Sequence, residues 1–214
     1  VIGCEYATIF SLFGKTKVHL IDKAPRILPF EDADVADVVA NNLEANGVIV
    51  HRNAELNKLW VENGRVKFEL CYNGDYCQTH EAEKALVSIG RVPNIEGLGC
   101  DTVGLALNNR GNFITEDSRT NIPHIYAVGD LTADICLVNV GENEGRHVID
   151  KEYGEIETEL SYENVSTIMF LDPEVAGVGM NEQQCQQAGI PYRVAGLDFQ
   201  YISRAIAMRC PDGF

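Results

Sequence analysis

The sequence predicts an α/β fold: a three-layer nucleotide-binding unit carrying an antiparallel meander, followed by the start of a smaller α+β segment. Three observations predict it. A helix-period stretch at the N-terminus leads into a short strand that ends in an acid, Asp22. Two Asn-Gly pairs, Asn63-Gly64 and Asn73-Gly74, are flanked by alternating residues such as Val66, Phe68 and Leu70. An apolar run of strand type, Ile125 to Val128, ends in Gly129-Asp130 and precedes a helix start. In open α/β sheets ligands bind beyond the carboxyl ends of strands, so these strand ends are the candidate sites.

The bulk properties bound the function. With 214 residues, 45% of them apolar and 23% charged, the chain allows one or two domains with a sizeable core. A formal net charge of −15 argues against nucleic acid or an anionic membrane surface as partner. It leaves nucleotides open, because helix N-termini and single arginines hold phosphate on acidic proteins. No apolar run approaches the roughly 18 residues that cross a bilayer. The seven cysteines show no metal-type pairing and read as mostly reduced thiols, which favours a cytoplasmic or organelle-matrix setting. No metal site is expected.

The first helix is predicted from Ala7, Ile9, Phe10 and Phe13 at helical spacing, with Gly14 at its end. Lys17 to Asp22 is then a strand. Gly3 stands where the last glycine of a G-x-G-x-x-G turn would open the helix, and Asp22 follows 19 residues later. Glycine, helix, strand and acid in that register form the second half of a Rossmann unit, with Asp22 placed to accept from a ribose 2′-hydroxyl. A carboxylate there disfavours the extra phosphate of NADP, so NAD is the expected nucleotide. Lys23 and Arg26 are near enough to offset part of that preference.

Val35, Val38, Val39 and Leu43 predict a second helix ended by Asn46-Gly47, and Val48 to Val50 a second strand. The Asn-Gly pairs are type I′ hairpin signals, giving a three-stranded meander. Cys71 and Cys77 flank the second turn and read as two hairpin thiols rather than a redox pair. Lys84 to Ile89 is expected as a buried strand ending at Gly90, where backbone can approach a cofactor. Arg91 is either a phosphate or ribose contact or a surface charge beside a turn. Asp130, after Gly129, suits a ribose or ribityl hydroxyl; on composition alone such an acid is more often a turn or N-cap residue, and the flanking sequence favours the ligand role.

The segments VIGCEYA at 1–7, SIGRVPN at 88–94, RGNFITED at 110–117, IYAVGD at 125–130 and DPEVAGVG at 172–179 together resemble the pyridine nucleotide-disulfide oxidoreductases. That flavoprotein family has branches typified by dihydrolipoamide dehydrogenase and soluble transhydrogenase. The resemblance implies an NAD(P)-binding domain at 1–90 without its first strand, an FAD-binding return segment at 91–153, and the N-terminal part of an interface domain at 160–214 that pairs two subunits into a homodimer. It implies that Asp130 binds the flavin's ribityl-pyrophosphate region and that a helix beginning near Val138 points its N-terminus at the flavin. Glu5 resembles the glutamate beside the nicotinamide; from sequence alone an acid placed in a helix's first turn explains it equally well. The family's C-x4-C redox pair and its C-terminal His and Glu have no counterparts here, so no catalytic side chain is expected within the chain. Val138-Asn139-Val140-Gly141 stands where relatives often begin that helix with Ala-His-Lys, and Leu171 replaces a frequent threonine.

Downstream, Glu142 to Tyr153 is expected as a helix with Val148 and Ile149 inward. Gly154 to Asn164 is glutamate-rich and reads as an exposed connection. Strands are expected at Ser166 to Phe170, Val175 to Val178, Tyr192 to Phe199 and Ala205 to Met208. Asn181 with Gln184 forms a capping-box start, and Gly189 ends that helix. The functional expectation is an FAD-dependent oxidoreductase passing a hydride between a nicotinamide nucleotide and flavin, then to a disulfide or a second nucleotide, with the chain as an incomplete part of it. The alternatives are a non-catalytic nucleotide-fold subunit and an NAD-sensing module.

Overall fold

The computed structural model describes residues 1–74, 76–132, 135–154 and 158–214, in two compact units: Val1–Ser88 with Ser166–Phe214, and Ile89–Val165. In the first, helix α1 (Ile2–Leu12) leads to strand β1 (His19–Ile21), helix α2 (Ala33–Ala45) and strand β2 (Ile49–His51). β1 and β2 pair in parallel, with His19 opposite Ile49 and Ile21 opposite His51, so α2 is the crossover of a β-α-β unit. Successive strand residues alternate between faces. Leu20 and Val50 pack into the core formed with Cys4 and Ala7 of α1 and Ala36, Val39, Ala40 and Leu43 of α2. The small residues Ala36 and Ala40 let that helix lie close. The buried face of α1 is Cys4, Ala7 and Thr8, while Ile9, Phe10 and Phe13 remain exposed.

The meander forms as expected from β3 (Ala54–Glu62), β4 (Arg65–Tyr72) and β5 (Tyr76–Ala82), all antiparallel. Asn63 and Gly64 both have positive φ, as do Asn73 and Gly74, the backbone that a type I′ turn demands. The cysteine expectation is corrected here. Cys71 and Cys77 are directly opposite on β4 and β5 and form a disulfide. The cause is register: the tight turn sets the two side chains on one face of adjacent strands.

The C-terminal piece of the same unit contains β6 (Ser166–Met169), antiparallel to β7 (Val175–Val178). Met169 and Leu171 join the core of α1 and α2. Two expected strands are not formed. Ala205 to Met208 belongs to a helix with the bounds Ser203–Met208, and Tyr192 to Asp198 has no regular structure before a 3-10 turn at Phe199–Tyr201. Neither segment has a ladder partner, and Arg, Ala and Met favour the helix instead. Lys84 to Ile89 is likewise no strand: Leu86, Val87 and Ile89 are exposed, and no described strand pairs with them.

In the second unit, a single-turn helix, α3 (Cys100–Val103), packs Cys100 with Phe113 and Ala127. Ile125 to Val128 is extended but makes only an isolated bridge at Tyr126, not a strand. Helix α4 (Val138–Tyr153) buries Val140 and Glu144; Val148 is half-buried, and Ile149 faces solvent against expectation. Of the glutamate-rich connection, residues 155–157 lie outside the described residues.

Candidate functional site

In the β-α-β unit, Asp22 directly follows β1. Its N–H donates to the His51 carbonyl at 2.9 Å, and its own carbonyl accepts from Ala54 at 3.1 Å. The carboxylate Oδ1 accepts the Ala24 N–H at 2.9 Å, an Asx-type turn that orients the side chain at the strand end. Lys23 is exposed beside it. Arg26, in contrast, is engaged. Its Nη2 donates to the carbonyls of Pro29 (3.3 Å) and Glu31 (3.0 Å) and to Gln183 Oε1 (3.3 Å).

Gly3 lies in the first turn of α1, and a Cβ there would sit 2.7 Å from Ser88 Oγ. A side chain at position 3 would therefore make the Ser88 hydroxyl swing aside, so the glycine lets this helix start lie close against Ser88. Glu5 is also in the first turn; its Oε1 accepts the Phe170 N–H at 3.0 Å.

The second unit brings two other candidates together. Arg91 Nε lies 2.8 Å from Asp130 Oδ2, with both side chains substantially exposed. Asp130 sits in the 3-10 turn Gly129–Leu131, and Gly90 immediately precedes Arg91 with φ +136°. The turn is held from behind. Gly129 donates its N–H to Glu144 Oε2 at 2.5 Å, and Thr132 Oγ1 donates to the Gly129 carbonyl at 3.0 Å. A Cβ on Gly141 would come within 3.1 Å of Gly129 Cα, so the pair of glycines lets α4 touch the turn backbone to backbone. α4 opens at Val138, which is 83% exposed, with no side-chain cap on the helix end. An uncapped helix N-terminus beside an exposed acid and arginine suits a polar, negatively charged group.

Two functional supports escaped the sequence reading. Glu144 is fully buried, accepting from Gly129 N–H and, at 2.8 Å, from Tyr162 Oη. Its position four residues after Val140, on the apolar face of α4, was the available signal. Asp117 is the other. Burial alone would raise its pKa, but hydrogen bonds from Lys151, His147 and the Leu160 N–H outweigh that and hold it at about 2.

Among the described residues no group of three or more His, Cys, Asp and Glu is arranged to hold a metal ion. No helix among them is long and apolar enough to cross a membrane.

Residues 1–147 match the family model described as pyridine nucleotide-disulphide oxidoreductase, and residues 165–214 match its dimerisation domain. Dihydrolipoyl dehydrogenase of Chlamydia muridarum is 34% identical over the whole chain, which covers 45% of that protein. The soluble pyridine nucleotide transhydrogenase of Chromohalobacter salexigens is 35% identical over 96% of the chain and 43% of its own length. LpdA from Mycobacterium tuberculosis superimposes with a TM-score of 0.88 at 28% identity, over 100% of this chain and 46% of that one. The HOCl-induced flavoprotein disulfide reductase RclA from Escherichia coli gives 0.86 at 29% identity, over 99% of this chain and 48% of that one. The chain thus spans less than half the length of the relatives it matches. The chain belongs to the pyridine nucleotide-disulphide oxidoreductase family.

Proposed function

We propose that this chain is the nicotinamide-nucleotide-binding and flavin-completing part of an FAD-dependent oxidoreductase, which passes a hydride between NAD(H) and FAD and onward to a disulfide or a second nucleotide. The observation that carries it is Asp22, presented directly beyond β1 of a parallel β-α-β unit whose first helix opens at Gly3. When bound, the two cofactors supply the two-electron chemistry; the polypeptide supplies binding and orientation. Asp22 would accept from the adenosine ribose. Asp130 and Arg91 would meet the flavin's polar chain, and the uncapped α4 N-terminus would favour negative charge on the flavin. Glu5, tied to the Phe170 N–H, would lie on the nicotinamide side.

The nucleotide is NAD rather than NADP. A 2′-phosphate charge about 4 Å from the Asp22 carboxylate is repelled by up to roughly 4 kcal/mol at an effective dielectric near 20. Arg26 keeps its charge but has its Nη2 fixed on Pro29, Glu31 and Gln183, so Lys23, exposed next to Asp22, is the cation freest to offset part of that repulsion. The domain roles that go with this function are nucleotide binding at 1–90, FAD return at 91–153 and pairing of two subunits through 160–214. Exposed Ile168, Phe170, Val178 and Met180 give that last segment an apolar surface for a second copy. The proposed setting is cytoplasm or organelle matrix, consistent with five free cysteines.

The test is Asp22→Ala in the complete protein. NAD affinity should fall about tenfold, the worth of one charge-assisted hydrogen bond, while NADP affinity holds or improves. An unchanged NAD/NADP ratio would remove Asp22 from the ribose role.

A further inference from the structure

Three of the chain's five histidines meet in one cluster on the face of β1 and β2 opposite α1 and α2. His19 is on β1, His51 on β2 and His80 on β5. His19 Nδ1 lies 2.9 Å from His51 Nε2, and His51 Nδ1 lies 2.6 Å from Tyr72 Oη. The His80 ring centroid is 5.9 Å from that of His19 and 5.5 Å from that of His51, with Phe68 stacked on it at 5.3 Å. His80 Nε2 is buried without a hydrogen-bond partner.

The contact between His19 and His51 works with one proton. One ring donates and the other accepts, so charging both would set two N–H groups against each other. The neighbouring groups offer an added proton no counter-charge. They are Lys17 before β1, Tyr72 on β4, and Tyr76 and His80 on β5. The register puts Glu69 and Glu81 on the opposite face of the meander from Phe68, Tyr72 and His80, and Glu55 lies opposite Cys71 on that same outer face. Burial, followed by the charges of neighbouring imidazoles, pushes His51 down to about 4; burial, then Lys17 and His80, lowers His19 as well.

The cluster is attached to the strand end described above. His51, the last residue of β2, accepts the Asp22 N–H with its carbonyl, and Ala54, the first of β3, donates to the Asp22 carbonyl. The peptide that carries Asp22 is thus held between β2 and β3, and the imidazoles join β1 and β2 to β5 of the meander beside it.

We propose that His19, His51 and His80 form a proton-sensitive positioning cluster for Asp22: neutral, it fixes the strand end that presents the carboxylate to a nucleotide ribose, and protonated, it loosens that end and weakens nucleotide binding. The proposal rests on the ribose role of Asp22. Because folded His19 and His51 bind protons less readily than they do in the unfolded chain, the order they confer is complete above about pH 6.5 and is lost as pH falls toward about 4.

The experiment uses the complete protein and NADH as probe. Wild-type affinity should hold from about pH 7 to about pH 5 and fall about twofold by about pH 4, where His51 is half charged, and His51→Gln, which keeps hydrogen-bonding groups but cannot titrate, should flatten that slope. Equal slopes in the two proteins would overturn the proposal. Imidazole titration by NMR in the wild type gives a second readout that needs no variant: His51 should stay neutral to well below its ordinary range, and a transition at about 6.5 would overturn it. If wild type binds no NADH at neutral pH, the functional reading fails on its own. The cluster is then judged by the hydrogen-exchange protection factor of the Asp22 amide, which should drop on acidification; an unchanged factor would overturn it.

Discussion

At the scale of single residues, small and buried side chains hold the backbone of the candidate site in place. Gly141 is the sharpest case. Its missing Cβ lets α4 approach Gly129, whose turn carries Asp130. Gly141→Ala would gain about 1 kcal/mol of helix propensity and lose about 2 kcal/mol to overpacking against backbone that cannot move aside. A net loss of about 1 kcal/mol in the complete protein, read from denaturant midpoints, is the expectation; a stabilised variant would show that the contact is loose. Asp117 gives a pH prediction. Its folded pKa is depressed to about 2, so its stabilisation is present above the unfolded carboxylate value near 3.8 and is lost as pH falls toward 2. With solvent screening that amounts to about 1 kcal/mol. Asp117→Asn should make stability between about pH 5 and about pH 2 less steep, and an unchanged acid limb would contradict the assignment. What these supports hold was not legible in the sequence because their partners are distant: Glu144 finds Tyr162 18 residues away, and Asp117 finds Lys151 34 away.

At the scale of elements, what was legible was whatever is decided locally. The Asn-Gly turns, the alternation through β4, and the capping box of α5 (Glu182–Ala188) are set by a few neighbouring residues, and each formed as expected. Asn181 also donates to the Phe30 carbonyl at 2.7 Å, so the same residue caps α5 and joins it to the loop before α2. Asn181→Ala should cost about 1 kcal/mol, the usual worth of an N-cap; a loss within error would mean the cap is redundant with the Asp32 carboxylate, which accepts the Glu182 N–H. What was illegible depended on partners. Lys84 to Ile89 and Tyr192 to Phe199 have strand composition, but a strand exists only when another strand accepts its hydrogen bonds. Ile149 has the wrong azimuth on α4 by one position, and Val140 and Glu144 take the buried face instead. The Cys71–Cys77 bond was missed for a similar reason: spacing alone did not give the register that faces them.

At the scale of the whole molecule, the family is fixed by the comparisons and the division of roles is the account's own. On the proposed function, an acidic protein of net charge −15 would hold two anionic cofactors by local means: glycine-opened helix ends, an exposed arginine, and carboxylates that accept from hydroxyls. The candidate residues Asp22 and Asp130 were legible because both follow apolar runs of strand type, even though only the first run forms a strand. The central claim is that this chain completes a flavin site reduced by NADH. The most direct measurement is the visible absorbance of the complete purified protein and of Asp130→Ala, before and after anaerobic NADH and, separately, NADPH. The wild type should carry stoichiometric flavin, bleached by NADH in preference to NADPH, and Asp130→Ala should lose it. A wild-type protein without flavin, or one whose flavin NADH leaves oxidised, would contradict it.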